Sequence, residues 1–196
     1  MDQRQDDQFR FLLEIDKLKN VLRRSVLSDQ SRRENSAEHS WHLATMALCL
    51  KEYADGPVDI HKVIMMLLLH DIVEIDAGDL FVHSAEQQEK QREKEIVAAR
   101  RIFSLLPADQ SAAYYALWEE FDCGDSAEAR FARVIDRVEP VMLHEATDAI
   151  VWRKYGTTHS QILRRLGTIE KDAPRLWPRV KRVIDNAVAT GALITD

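Results

Sequence analysis

The chain has 196 residues, 45% of them hydrophobic, which suits one globular domain with a sizeable core. Its formal net charge of -6 argues against a protein that mainly coats DNA or RNA, because such a protein needs a basic surface. No apolar run of about 18 residues is present to span a bilayer, and the polar N-terminus does not resemble a signal peptide, so we expect a cytoplasmic protein with no membrane partner and no nucleic acid polymer as partner.

Apolar residues recur at three- and four-residue spacing along almost the whole chain, as in Phe9, Leu12 and Leu13. This periodicity indicates helices, and period-two alternation typical of strands is hard to find, so we predict an all-α protein. Turn residues such as Gly56-Pro57 mark the breaks between helices. The predicted helices lie near residues 8–23, 36–54, 59–75, 84–106, 109–121, 126–154, 158–167 and 173–190.

The predicted loop at residues 25–35 leads directly into the helix that carries His39. Asn35 is placed to cap this helix, with Glu38 in position for a capping box. Taken alone, a histidine in such a helix is more often a hydrogen-bonded core residue than a metal ligand. His42, three residues later, could share the same face, but nothing else favours it as a ligand. Cys49, further along, is expected to be a small buried side chain.

The most informative feature is the adjacent pair His70-Asp71, which ends the apolar run at residues 63–69. Burying an unpaired polar group costs about 2–7 kcal/mol, so both side chains need partners. A divalent metal would use the nitrogen and the carboxylate together. Glu74 lies on the same face of a helix, one turn further, where a general acid or base could reach metal-bound water without binding the ion. The alternative for Glu74 is an exposed residue near a helix end.

Asp136 lies in a helix that is apolar over much of its circumference. Alone it would be interpreted as an ion-pair partner of Arg133, but with His39, His70 and Asp71 it becomes a fourth candidate ligand. Mixed nitrogen and oxygen ligands without a thiolate favour one divalent transition metal (Co, Mn, Fe, Ni or Zn), with open positions for a hydrolytic water. Surface or packing roles are favoured for the remaining histidines, which are His61, His83, His144 and His159; His83 is the least secure because it closely follows the site loop.

The order of these residues resembles the H…HD…D signature of HD-domain metal-dependent phosphohydrolases. The segment that starts at His70 reads HDIVEIDAGD and is similar to the HDxxExxxGD segment of the 5'-deoxynucleotidase branch. The resemblance covers about residues 10–170 of a single HD domain that we assign to residues 1–196, including a C-terminal helix at 173–190. It implies a helical bundle with a metal site in its core, usually a homodimer, that hydrolyses deoxyribonucleoside 5'-monophosphates to deoxynucleoside and phosphate.

The resemblance also implies residue roles. It assigns Glu74 as the catalytic carboxylate and Asp79 as the residue that contacts the sugar and disfavours a 2'-hydroxyl. By distance to His39, Arg24 corresponds to an arginine that orients the phosphate, although Arg23-Arg24 at a helix end could instead complement the helix dipole. The implied metal ligands are His39, His70, Asp71 and Asp136, and the predicted substrate-binding residues are Arg24, Ser25, Arg32, Asp71 and Asp79.

Two departures from the family pattern concern the substrate. Ser25 stands where an aromatic residue is expected, and Phe81-Val82 stand where a more polar pair is common. The alternatives are therefore an HD-domain hydrolase of another phosphate ester (a ribonucleotide, cyclic nucleotide or alarmone) and a metal-stabilised interaction module without turnover. Oxygenase chemistry at a two-iron centre would need further histidine ligands.

Overall fold

Helices form most of the computed structural model, which describes residues 2–79 and 85–196. Within these ranges the chain also forms three short 3-10 segments, at Asp16–Asn20, Lys51–Tyr53 and His70–Val73. The helices are α1 (Gln3–Ile15), α2 (Ser36–Leu50), α3 (Ile60–Leu69), α4 (Glu74–Ala77), α5 (Ala85–Phe103), α6 (Ala108–Cys123), α7 (Ala127–Ala146), α8 (Ile150–Tyr155), α9 (His159–Leu166), α10 (Thr168–Asp172) and α11 (Trp177–Ala189). The predicted all-α class is confirmed, whereas the predictions for His83 and Phe81-Val82 lie outside the described residues.

The predicted helix at 8–23 is wrong in its second half. Helix α1 ends at Ile15, and after the 3-10 segment the chain forms strand β1 (Leu22–Val26), which pairs antiparallel with β2 (Arg33–Asn35). Most of the predicted loop at 25–35 therefore belongs to a hairpin, whose turn contains Gln30 at a φ of 61°. These strands are too short to show a clear alternation in sequence.

The predicted helix at 126–154 is two helices. Helix α7 ends at Ala146, and the next turn places Asp148 and Ala149 at φ values of 50° and 54° in the left-handed region. The Thr147 hydroxyl donates back to the Leu143 carbonyl over 2.8 Å, which satisfies an acceptor at the helix end. Helix α8 then returns, so that the Trp152 ring lies 4.0 Å from the His144 ring, centroid to centroid.

The start of α2 agrees with the prediction from its sequence. Asn35 accepts from the Glu38 backbone N–H over 3.0 Å, and the Glu38 carboxylate accepts from the Asn35 N–H over 2.8 Å, which completes the capping box. The prediction for Cys49 is wrong, because its side chain is exposed. It lies next to Leu48, which is also exposed, on the outer face of the helix.

Helices α2, α3 and α7 pack against one another and enclose a central group of buried side chains. This group includes Leu43 of α2, Met66 and Leu67 of α3, and Phe131 and Ile135 of α7. The candidate metal ligands lie at the edge of this core, because they belong to α2, to α7 and to the turn that follows α3. Among the residues described, no helix combines the length and the apolar character needed to cross a membrane.

Candidate metal centre and substrate cavity

Three elements bring His39, His70 and Asp136 together. His39 projects from α2, His70 begins the 3-10 turn after α3, and Asp136 projects from the middle of α7. Asp136 Oδ1 lies 3.2 Å from His39 Nε2 and 3.7 Å from His70 Nε2, and one donor atom of each residue lies within 4.8 Å of the others. Both histidines are buried. Two nitrogens and one oxygen thus converge on a volume that a divalent cation could occupy.

Asp71, the fourth predicted ligand, adjoins this group. Its Oδ1 lies 3.0 Å from His70 Nε2 and its Oδ2 lies 4.0 Å from His39 Nε2. The same Oδ2 accepts a 2.8 Å hydrogen bond from Arg23 Nη1. Part of the Asp71 charge is therefore balanced by a buried guanidinium.

The two imidazoles present the same nitrogen to the cluster. The Nδ1 of His70 lies 2.9 Å from the Leu67 carbonyl oxygen, and with its proton on Nδ1 the ring donates there. Its buried Nε2 then has no hydrogen-bond partner among the described residues, despite its proximity to two carboxylates. Since buried polar atoms are normally paired, this unpartnered nitrogen fits a metal ligand.

The electrostatics of the cluster are dominated by the mutual attraction of its members. Burial disfavours the charged imidazoles, but the neighbouring carboxylates outweigh it, so the pKa of His70 rises to about 10 and that of His39 rises well above its ordinary value. Burial likewise opposes the charged carboxylates, yet the histidines hold the pKa of Asp71 at about 2 and that of Asp136 well below its usual range. A bound divalent cation would take the place of these imidazole protons.

Glu74 begins α4 and lies beside the cluster. Its Oε2 accepts a 2.6 Å hydrogen bond from the Ser36 hydroxyl. Burial, reinforced by the negative charge of Asp71, raises the pKa of Glu74 to about 8. A carboxyl group that titrates near neutral pH is suited to general acid or base chemistry.

A cavity of about 190 Å³ adjoins the cluster at Arg23. The predicted substrate residues Arg24, Ser25 and Asp79 line it together. Its walls combine arginines with an apolar and aromatic surface, contributed by Arg23, Arg24, Ser25, Asp79, Arg137, Pro140, Val141, His144, Val151, Trp152, Tyr155, Gly156, Thr157, Gln161, Ile162, Arg165 and Leu166. Such a lining accommodates a ligand with an anionic end and a flat apolar end.

Arg32 occupies a different place from Arg24, Ser25 and Asp79. Its exposed guanidinium forms a two-pronged ion pair with Glu38, at 2.6 and 2.8 Å. It is not among the residues that line the cavity. The Arg24 guanidinium, in contrast, lies 4.8 Å above the ring of Tyr155, another residue of the cavity wall.

Sequence reasoning missed the importance of Arg23, Glu34 and Glu139, all of which are buried. Arg23 bridges Asp71 and Glu34, the latter over 3.4 Å from Nε. Glu139 lies three residues after Asp136 in an apolar helix, a spacing that could have identified it. Arg23 gave no comparable signal, because its strand is short and its neighbour Arg24 is also basic.

The aromatic residues of the cavity were also missed. Ser25 stands where an aromatic residue was expected, yet Trp152 and Tyr155 of α8, far from Ser25 in sequence, line the same cavity. His144, predicted to have a surface or packing role, packs on Trp152. Their position depends on the break after α7, which the sequence pattern did not reveal.

Comparison with known proteins places this geometry in a family. The family model described as HD domain matches residues 15–177. A solved structure of a predicted metal-dependent phosphohydrolase from Magnetospirillum magnetotacticum MS-1 is 47% identical, covers 97% of this chain and 95% of its own, and superimposes with a TM-score of 0.91. A conserved hypothetical protein from Pyrococcus furiosus, 21% identical, covers 89% of this chain and 99% of its own with a TM-score of 0.67, and thus shares the fold.

Among curated proteins, the human 5'-deoxynucleotidase HDDC2 is 31% identical over 133 residues, which are 67% of this chain and 64% of the relative. The bovine protein of the same name is 30% identical over 133 residues, 67% of this chain and 63% of the relative. The match therefore spans less than two thirds of the length of these relatives. The resemblance inferred from the H…HD…D residues is confirmed, and the chain belongs to the HD domain family.

Proposed function

We propose that this protein is a metal-dependent phosphohydrolase that converts deoxyribonucleoside 5'-monophosphates to deoxynucleoside and phosphate. The observation that carries the proposal is the convergence of His39, His70 and Asp136 beside a cavity lined by arginines. Arg23 connects the two, since it lines the cavity and binds Asp71. The names of the curated relatives and of the 47% identical solved structure support the same reaction class.

The donor set suits one divalent transition metal held by His39, His70 and Asp136, with Asp71 beside them. When bound, such an ion supplies a Lewis acid and lowers the pKa of a coordinated water. The Nε2 of His70 supports this assignment, because it is buried without a hydrogen-bond partner among the described residues. Co, Mn, Fe, Ni and Zn all accept nitrogen and oxygen ligands of this kind.

The chain's own residues divide the remaining work. The guanidinium groups of Arg23 and Arg24 donate hydrogen bonds to the phosphate oxygens. They also stabilise the negative charge that develops as the ester bond breaks. Glu74, whose pKa is about 8, exchanges a proton near neutral pH, and the Ser36 hydroxyl fixes the position of its carboxylate. Asp79 lines the cavity and is proposed to contact the sugar.

The aromatic and apolar side chains of the cavity wall suit the nucleobase. Trp152 and Tyr155 offer aromatic surface, and Val141, Ile162 and Leu166 add apolar contacts. Arg32 lies outside this arrangement, so its proposed role in substrate binding has no support beyond the resemblance. The homodimer and the cytoplasmic location also remain predictions.

Phosphate release from a substrate panel tests the proposal. Metal-stripped protein is assayed with Co, Mn or Mg added back, against deoxyribonucleoside and ribonucleoside 5'-monophosphates, a cyclic nucleotide and an alarmone. We expect metal-dependent release from the deoxynucleotides and slower release from their ribonucleotide counterparts. Preference for a 2'-hydroxyl or for another ester would contradict the substrate class, and no release with any metal would indicate a non-catalytic module.

A further inference from the structure

The ring of His39 lies between two pairs of carboxylates. Its Nε2 faces the candidate metal centre, 3.2 Å from Asp136 Oδ1. Its Nδ1 faces away, 3.4 Å from Glu34 Oε2 and 3.4 Å from Glu139 Oε2. The imidazole has no exposed surface. When Nε2 binds a metal, the ring proton must lie on Nδ1, where Glu34 and Glu139 are the neighbouring acceptors.

Glu139 forms part of a regular contact between two helices. On α2, His39 and His42 are three residues apart; on α7, Asp136 and Glu139 have the same spacing, so each pair shares a helix face. Asp136 meets His39, whereas Glu139 meets both His39 and, through Oε1 at 3.2 Å, the Nδ1 of His42. The contact of Glu139 with His39 and His42 therefore lies behind the candidate metal centre, on the Nδ1 side of His39.

The burial of Glu139 needs a compensating contact. The residue is 0% exposed, and within the described part of the chain its Oε2 and the Nδ1 of His39 have no hydrogen-bond partner. Their 3.4 Å approach to each other is what offsets the burial of both atoms. Glu34 approaches the same nitrogen, but it also contacts the Arg23 guanidinium, which balances part of its charge.

We propose that Glu139 is a positioning residue that holds the proton of His39 on Nδ1 and thereby directs the Nε2 lone pair toward the metal. The proposal rests on the metal centre of the proposed function. A carboxylate behind a ligating histidine fixes the ring and increases its basicity, and loss of such a residue weakens metal affinity about 10- to 100-fold. A merely structural ion pair would stabilise the fold without this effect on affinity.

Cobalt binding separates these two roles. Wild-type, Glu139→Gln and Glu145→Gln proteins are stripped of metal and titrated with Co²⁺, with the dissociation constant measured by calorimetry and the ligand field by visible absorption. Glu145 lies on the same helix and pairs with Arg179 on an exposed surface, so it is the matched control. We expect Kd to rise about 10- to 100-fold in Glu139→Gln, with an altered spectrum, and to stay unchanged in Glu145→Gln.

Wild-type Kd and spectrum in Glu139→Gln would overturn the inference, even if its melting temperature fell. Absence of Co²⁺ binding by the wild-type protein would overturn it as well. If Glu139→Gln does not fold by circular dichroism, Glu139→Asp replaces it, because the retained charge lies one methylene further from His39. Weaker binding in Glu139→Asp then supports the role, and wild-type affinity contradicts it. Since no substrate is used, failure of the deoxynucleotidase proposal would leave this result unaffected.

Discussion

Glu74 shows how the environment separates the pKa values of two neighbouring carboxyl groups. It shares the neighbourhood of Asp71, yet burial and the Asp71 charge raise the pKa of Glu74 to about 8, while the pKa of Asp71 falls to about 2. Two carboxyl groups with such separated pKa values can take different roles at one pH. In the proposed mechanism Glu74 would exchange protons, and Asp71 would remain an anion beside a bound metal.

Replacing Glu74 by Gln tests this assignment. We expect phosphate release to fall about 100-fold or more, because the group that exchanges the proton is lost while the shape of the side chain is kept. Calorimetry should show Co²⁺ binding close to wild type, since Glu74 is not among the candidate ligands. Asp76→Asn on the same helix, which removes a surface ion pair with Arg101, serves as the control and should remain active. Full activity of metal-loaded Glu74→Gln would show that the role is wrong.

At the scale of elements, irregular segments position the cavity residues. The β1–β2 hairpin carries Arg23 and Glu34 inward, although both are charged, because each finds a partner in the cluster. The left-handed turn at Asp148 and Ala149 sends α8 back over His144. At the hairpin, the contact between Arg23 and Asp71, 48 residues apart, overrides the local helical pattern.

The left-handed turn leads to a stability prediction. Asp148 is exposed and has a φ of 50°, a conformation that glycine adopts more easily than other residues. We expect Asp148→Gly to raise the free energy of unfolding by about 0.5–1 kcal/mol in urea denaturation, while the bond from Arg153 to the Asp148 carbonyl is retained. Arg182→Gly, in the regular helix α11, should lower it by a similar amount. A loss of stability in Asp148→Gly would show that its side chain holds the turn.

For the whole molecule, the buried histidine of the cavity couples stability to pH. Burial lowers the pKa of His144 to about 4, with an opposing influence from Glu139. The unfolded chain therefore binds a proton at this residue that the folded protein excludes. The contribution of His144 to the free energy of unfolding is fully present above about pH 6.5 and is lost as the pH falls toward 4.

A pH series of urea denaturation measures this effect. Between pH 7 and pH 4 we expect the wild-type protein to lose roughly 2–3 kcal/mol more unfolding free energy than His144→Gln, which cannot take up a proton there. The carboxylates of the cluster also lose their contribution in acid, but they are present in both proteins. If the free energy of unfolding fell equally with pH in the two proteins, that result would contradict a buried neutral imidazole at His144.

Metal binding should also stabilise the molecule as a whole. An ion that binds only the folded state adds about 2.7 kcal/mol when its concentration is 100 times its dissociation constant. We therefore expect a chelator to lower the melting temperature and Co²⁺ to restore it in calorimetric scans. His70→Asn should melt at one temperature with or without Co²⁺. A melting temperature indifferent to metal in the wild-type protein would contradict the assigned centre.

The sequence by itself determined the helical class and the family, because helical periodicity and a motif such as HDIVEIDAGD are local properties of the chain. It also singled out His39, His70 and Asp136, since ionisable residues in apolar helices require partners. Only the tertiary structure decided the contacts of the site. Glu139 lies behind His39, Arg23 rather than Arg32 lies beside the centre, and Trp152 packs against His144. These contacts depend on the hairpin and on the break after α7. At both places tertiary contacts and burial outweigh the local secondary-structure preference, so no periodic pattern in the sequence predicts them.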